Sequence, residues 1–279
     1  MKHVDGTFQG KDNFNLYYQC WLTDIAPEAV LLVVHGLAEH SGRYTNMVNH
    51  FVHRDFAVYS YDLRGHGKSD GRRGYVERFS YYLDDLNTFF DIVRSKHPDA
   101  DIFIVGHSMG ATIATAYALR QDRLAGLILS GITLKLGTTV SPALITAGRI
   151  LSVLLPKVGI TVIEASAVSR DKAVVGAYIH DQLVFRGKIS ARLGAEFISV
   201  MQRLPAELTK LTLPILIMHG TADRLSDPKS GEIVYQQAGS TDKTLKLYDC
   251  LYHELFNEFE NDKVFADMES WLTDHIRVS

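Results

Sequence analysis

The sequence predicts an α/β protein, with a mostly parallel central sheet flanked by helices and an inserted helical cap. Three observations carry that expectation. Short, wholly apolar runs recur, the pattern of strands buried on both faces of a parallel sheet. Segments of helical spacing separate them, which argues for right-handed βαβ crossovers. Between Ile132 and Leu211 the alternation stops, and helical patches replace buried strands. The expected division is a core of residues 1–131 and 212–279, with residues 132–211 as the cap.

Taken in order, Asn13 to Trp21 reads as an early strand. Ala29 to Val34 is an apolar run ending at His35-Gly36, and Phe56 to Tyr61 ends at Asp62. Ile102 to Val105 ends at Gly106, and Leu124 to Leu129 ends at Ser130-Gly131. Pro214 to Met218 ends at His219-Gly220, and Thr244 to Tyr248 ends at Asp249. Helical spacing is found in Tyr44–His53, Phe79–His97, Thr112–Arg120, Lys229–Gln237 and Lys263–Ile276. Within the cap, Ala143 to Leu155 has a single charge, Arg149, and a broad apolar face. We expect that face to meet solvent or lipid and to guide an acyl chain, so charging Leu151 or Leu154 would weaken lipid association.

Composition narrows the function. Hydrophobic residues are 46% of the 279 and charged residues 22%, so a large core is available. A net charge of −3 offers no basic field for nucleic acid. Two cysteines are too few for a disulfide framework; pairing of Cys20 with Cys250 stays open, and the plain reading is two buried or partly buried free thiols. The N-terminal residues lack the apolar core of a signal peptide, and no run of 18 apolar residues occurs. The expectation is a cytoplasmic protein, or one peripheral at a membrane surface.

The chemistry is carried by Gly106-His107-Ser108-Met109-Gly110. This G-x-S-x-G pattern follows a strand and precedes a helix, as a nucleophile elbow requires. A serine hydroxyl needs a base, and the expected chain order is Ser, then acid, then His. Asp223 lies just past the strand at Pro214, and His253 just past the strand ending at Tyr248. Ser108 as nucleophile, His253 as base and Asp223 as orienter therefore meet at one sheet edge. The backbone N–H groups of Met109 and Leu37 are the candidate oxyanion donors. Asp227 reads as a helix-capping acid and Glu254 as a first-turn acid of the last helical region. His219 precedes a glycine, a position from which it could face the core, and His35 is read as a structural buttress. Asp62 to Ser69 fails the full phosphate-loop pattern and is assigned to the site wall. His50 with His53, and His35 with His40, lack a matching third ligand, so no metal is expected.

These motifs resemble the monoacylglycerol lipase family. The likeness rests on His35–Tyr44 (HGLAEHSGRY), Asp62–Gly74 (DLRGHGKSDGRRG), Gly106–Ala111 (GHSMGA), His219–Pro228 (HGTADRLSDP) and Tyr252–Glu258 (YHELFNE). In the cap it extends to Ser169–Lys172 and Tyr178–Asp181. The resemblance implies the α/β-hydrolase fold, hydrolysis of monoglycerides at a lipid surface, and no cofactor. It places Glu39 and Arg43 near the glycerol end of the pocket and Tyr178 near a polar exit. The chain departs from the animal enzymes at Phe256, where they carry histidine, and at Ser226, where they carry cysteine. Neighbouring readings are a lysophospholipase or a general carboxylesterase. A non-catalytic binding protein of this fold would break a triad position, and none is broken.

Overall fold

Runs of five or six buried residues build the centre of the sheet. In this computed structural model, which describes residues 1–137 and 141–277, Val30–Val34 (β3) and Ala57–Tyr61 (β4) are buried along their whole length. So are Ile102–His107 (β5), Gly126–Ser130 (β6) and Ile215–Gly220 (β9). Two outer strands, Lys2–Gln9 (β1) and Asn15–Leu22 (β2), form an antiparallel ribbon. Lys243–Tyr248 (β10) closes the other edge. Among the described residues the sheet has eight strands in the order β1-β2-β4-β3-β5-β6-β9-β10. From β4 to β10 every pairing is parallel.

Successive side chains of a strand point to opposite faces, which sorts the core into two layers. Val30, Leu32 and Val34 of β3 pack with Leu86, Phe89 and Phe90 of helix α2 (Ser80–Lys96) and with Ile113 of α3 (Met109–Ala118). Leu31 and Val33 pack on the other side with Phe51 of α1 (Thr45–Val52) and Phe265 of α8 (Asn261–His275). Burying each such side chain contributes roughly 1.5–3 kcal/mol. The sheet is therefore a fixed platform, and the loops at its carboxyl edge are held by it.

In the loop after β4, Arg64 forms a bidentate pair with Asp85, at 2.6 and 2.7 Å. Both side chains are almost wholly buried. That pair locks the loop after β4 to α2.

Between β6 and β9 the chain leaves the sheet. It forms α4 (Pro142–Leu154), strand β7 (Gly159–Thr161), α5 (Lys172–His180), strand β8 (Ile189–Ser190) and α6 (Ala191–Arg203). Side-chain caps start all three helices: Ser141 accepts from Leu144 N, Asp171 from Ala173 N, and Ser190 from Leu193 N. Strands β7 and β8 pair antiparallel. Helix α6 sends Leu193, Phe197, Val200 and Met201 into the main core. Helix α4 exposes Leu144, Ile150, Val153 and Leu154, the last two at 71% each. Leu151, expected on the same open face, is instead half-buried. No described helix is long and apolar enough to cross a membrane.

Several boundaries shift from the sequence expectation. Strand β1 was not anticipated, because Gly6 and exposed polar residues interrupt its apolar pattern. Helix α3 begins at Met109 rather than Thr112, since the turn ends at Ser108 itself. Residue Cys20 is buried but Cys250 is exposed, on a loop residue with φ 62°, and both are free thiols.

Candidate active site

The turn between β5 and α3 consists of one residue. Ser108 takes φ 54° and ψ −121°, a conformation that favours glycine. Its neighbours make the turn sterically possible. A Cβ on Gly106 would lie 2.5 Å from Ala111 Cα, and one on Gly110 would lie 2.1 Å from Val34 O. Both positions therefore require glycine. Ser108 N donates to Ser130 O at 2.9 Å, which ties the elbow to the end of β6.

The loops after β9 and β10 bring Asp223 and His253 together. His253 Nδ1 donates to Asp223 Oδ2 across 2.7 Å. A second imidazole reaches the same oxygen: His219 Nε2 donates to Asp223 Oδ2 at 3.0 Å. The other oxygen, Oδ1, accepts from Leu225 N at 2.8 Å and Ser226 N at 3.0 Å. Burial opposes charge on this carboxyl, yet the charge of His253 and the two imidazole donors hold it far below the ordinary carboxylate range. Burial likewise disfavours a charged His253, but the Asp223 charge and hydrogen bond, helped by Glu254 and Glu39, lift its pKa above the usual value. The ring of His107 packs against that of His253 with centroids 4.7 Å apart. Burial, then the neighbouring His253, pushes His107 well below its ordinary pKa.

Ser108 Oγ is partly exposed and lies 3.4 Å from Thr133 Oγ1. Thr133 is anchored by its own carbonyl, which accepts from Thr112 Oγ1 at 2.8 Å. Among the described residues Ser108 makes no hydrogen bond to His253, and its Oγ faces Thr133 instead. Catalytic hydrogen bonds of this kind are often loose before substrate binds.

The loop after β3 lies against the elbow. A Cβ on Gly36 would sit 3.1 Å from Ser108 Cβ. The N–H groups of Leu37 and Met109 have no hydrogen-bond partner within the described residues. Met109 N also opens helix α3, where the helix dipole favours negative charge. His35 holds this loop as a buttress: Leu63 N donates to its Nε2 at 2.9 Å, and its Nδ1 reaches Gly36 O at 2.7 Å. Three ties join the loop to the cap. Phe185 N donates to Ala38 O at 2.8 Å, His40 Nε2 lies 2.8 Å from Asp181 Oδ2, and Arg43 lies over the Tyr178 ring at 4.8 Å.

Glu39, Arg43 and Tyr178 meet in a buried cluster beside His253. Arg43 Nε is 3.4 Å from Glu39 Oε2, and Arg43 Nη2 donates to Glu254 Oε2 at 2.5 Å. Glu254 is thus not a free first-turn acid. It precedes a short 3-10 turn, Leu255–Asn257, and faces back to the guanidinium. Two carboxylates therefore share one cation. Burial and the Glu254 charge raise the pKa of Glu39. Gly36 N and Tyr44 Oη both donate to its Oε1, at 2.6 and 2.8 Å. Asp227, as expected, accepts from Lys229 N at the start of α7 (Lys229–Gln237).

Sequence reasoning missed His219, Glu254, His107 and Thr133 as members of the site. His219, four residues from Asp223 at a strand end, His107, beside Ser108, and Glu254, beside His253, each carried a local signal, and Thr133 carried none. Among the described residues no group of three His, Cys, Asp or Glu side chains is placed to hold a metal. His50 is paired with Glu269 at 2.9 Å.

The chain is similar to known proteins along most of its length. The family described as Hydrolase_4, serine aminopeptidase, S33, matches residues 25–260. The monoacylglycerol lipase of Mycolicibacterium smegmatis is 35% identical over 271 residues, spanning 97% of each chain. The human monoglyceride lipase is 33% identical over 266 residues, 94% of this chain and 88% of that one. A soluble variant of monoglyceride lipase from Saccharomyces cerevisiae, solved with a substrate analog, superposes with a TM-score of 0.90 at 26% identity, covering 100% of this chain and 97% of that one.

Proposed function

From the premise that this chain belongs to the Hydrolase_4 family and is a serine hydrolase of the α/β-hydrolase fold, we propose that it cleaves monoacylglycerols to fatty acid and glycerol. The observation that carries the reading is the Asp223–His253 hydrogen bond, at 2.7 Å, in the loops beside the Ser108 elbow. In the first half-reaction Ser108 Oγ attacks the ester carbonyl while His253 Nε2 takes its proton. The oxyanion is received by the N–H groups of Leu37 and Met109, each worth about 3–4 kcal/mol to the barrier. His253 then returns the proton to the departing glycerol oxygen. Water, deprotonated by the same nitrogen, attacks the acyl-serine, and the fatty acid leaves.

The substrate assignment is supported by the curated relatives and by two features of the chain. The Glu39–Arg43–Glu254 cluster with Tyr178 supplies a polar end suited to a glycerol head group. The cap, residues 132–211, presents the open apolar face of α4, suited to collecting a lipid chain at a membrane surface. The test is a hydrolysis panel of monoglycerides, diglycerides, lysophospholipids and nitrophenyl esters, run beside fluorophosphonate labelling. Labelling lost in S108A, with monoglycerides turned over fastest, is the expected result. A preference for phosphocholine head groups would overturn the monoglyceride assignment, and an unreactive Ser108 the enzyme itself.

A further inference from the structure

We infer that His219 is a positioning residue for the catalytic base, acting through the carboxylate oxygen that orients His253. The inference rests on the triad reading above and deepens it. Asp223 Oδ2 can accept two hydrogen bonds, and both are imidazole N–H groups: His253 Nδ1 at 2.7 Å and His219 Nε2 at 3.0 Å. Oδ1 is filled by two amides. An ionised carboxylate offers about four acceptor positions. All four are used, so the group has no freedom to swing and its charge is divided among four donors.

A packing role alone does not explain the residue. His219 is 0% exposed, and its Nδ1 has no hydrogen-bond partner. An orphaned polar atom in the interior is unfavourable, and an apolar side chain would avoid it. What the imidazole supplies in exchange is the Nε2–H aimed at Asp223. The surroundings make room for it: a Cβ on Gly231 of α7 would lie 3.4 Å from His219 Nδ1.

The second donor sets how much of the Asp223 charge is left for His253. Removing it concentrates that charge on a single imidazole, which makes His253 more basic. The other groups facing His253 are unchanged by such a variant. They are Glu254 beside it in the chain, Glu39 from the loop after β3, and the ring of His107.

The experiment compares wild type with H219L, H219N and H219Q in the full chain. Glutamine places an amide N–H where Nε2–H stands, whereas asparagine is too short to reach Oδ2. One readout is the pH profile of kcat/KM on a soluble nitrophenyl ester. The other is the low-field proton resonance of His253 Nδ1–H in the resting enzyme. In H219L and H219N the acid limb moves up by about half a pH unit and kcat falls roughly tenfold with KM unchanged. The resonance moves further downfield, and H219Q restores all three. If H219L fails to fold, H219N against H219Q carries the same comparison. Equal loss of kcat in all variants with an unmoved acid limb would reduce His219 to packing, and wild-type behaviour of H219N would remove its role. Fluorophosphonate labelling is checked first. Without labelling of Ser108 the triad reading fails, whereas labelling with an unmoved limb fails this inference alone.

Discussion

Replacing Asp223 by asparagine should disable the enzyme while leaving the fold in place, and the reason lies in the four donors around the carboxylate. Leu225 N and Ser226 N point at Oδ1, and the two imidazoles point at Oδ2. An asparagine amide offers one oxygen and one NH2 group, so one pair of donors must face the NH2. The backbone N–H groups cannot change, because they belong to the turn itself. The imidazoles can, by moving a proton between ring nitrogens. The NH2 group therefore turns toward the histidines, and His253 must accept at Nδ1. Its remaining proton then sits on Nε2, aimed at Ser108, where a lone pair is needed. A wrong tautomer of this kind lowers kcat by about a thousand- to ten-thousand-fold, or about 4–5.5 kcal/mol of barrier. KM should stay near its wild-type value, since Asp223 touches no substrate. The assay is steady-state hydrolysis of a short nitrophenyl ester, with a thermal melt to show that the protein remains folded. A loss of less than tenfold, or a loss carried by KM, would refute the tautomer argument.

Further outcomes are expected. In wild type, kcat/KM should fall as pH drops through the raised pKa of His253, so its acid limb lies above the ordinary imidazole value of about 6.5, read from a pH–rate profile. Val153→Glu or Leu154→Glu, on the open face of α4, should lower binding to phosphatidylcholine vesicles by about tenfold or more while leaving short soluble esters unaffected; flotation measures the first and spectrophotometry the second. Asp85→Ala strands the Arg64 guanidinium in the core and should destabilise the fold by about 3–5 kcal/mol, lowering the melting temperature by about 10 °C in calorimetry.

What was legible in the sequence followed from local rules. An apolar run, a glycine and a polar residue mark the carboxyl end of a buried strand. The glycine-flanked motif marks Ser108, strand ends followed by polar residues mark Asp223 and His253, and the chain order gives their expected roles. The alternation of strand and helix was readable because β3 to β6 are buried on both faces. Strand β1 escaped because only Phe8 in it is buried, so its pattern has no continuous apolar core. Glu254 was misread because its partner, Arg43, stands 211 residues away and no periodicity records such a pairing. The contact of Ser108 with Thr133 depends on a side-chain rotamer, and rotamers leave no trace in spacing. The apolar run of α4 does not by itself tell Leu151, which is half-buried, from the exposed Leu154.

The backbone of Ser108 carries one more consequence. A β-carbon held at φ 54° and ψ −121° costs about 1–3 kcal/mol, and the molecule bears that burden so that a hydroxyl can stand clear of the sheet. Glycine at 108 would relax the burden and silence the chemistry together. The chemically dead protein should then outlast the living one on heating, a trade-off between durability and work concentrated in a single residue.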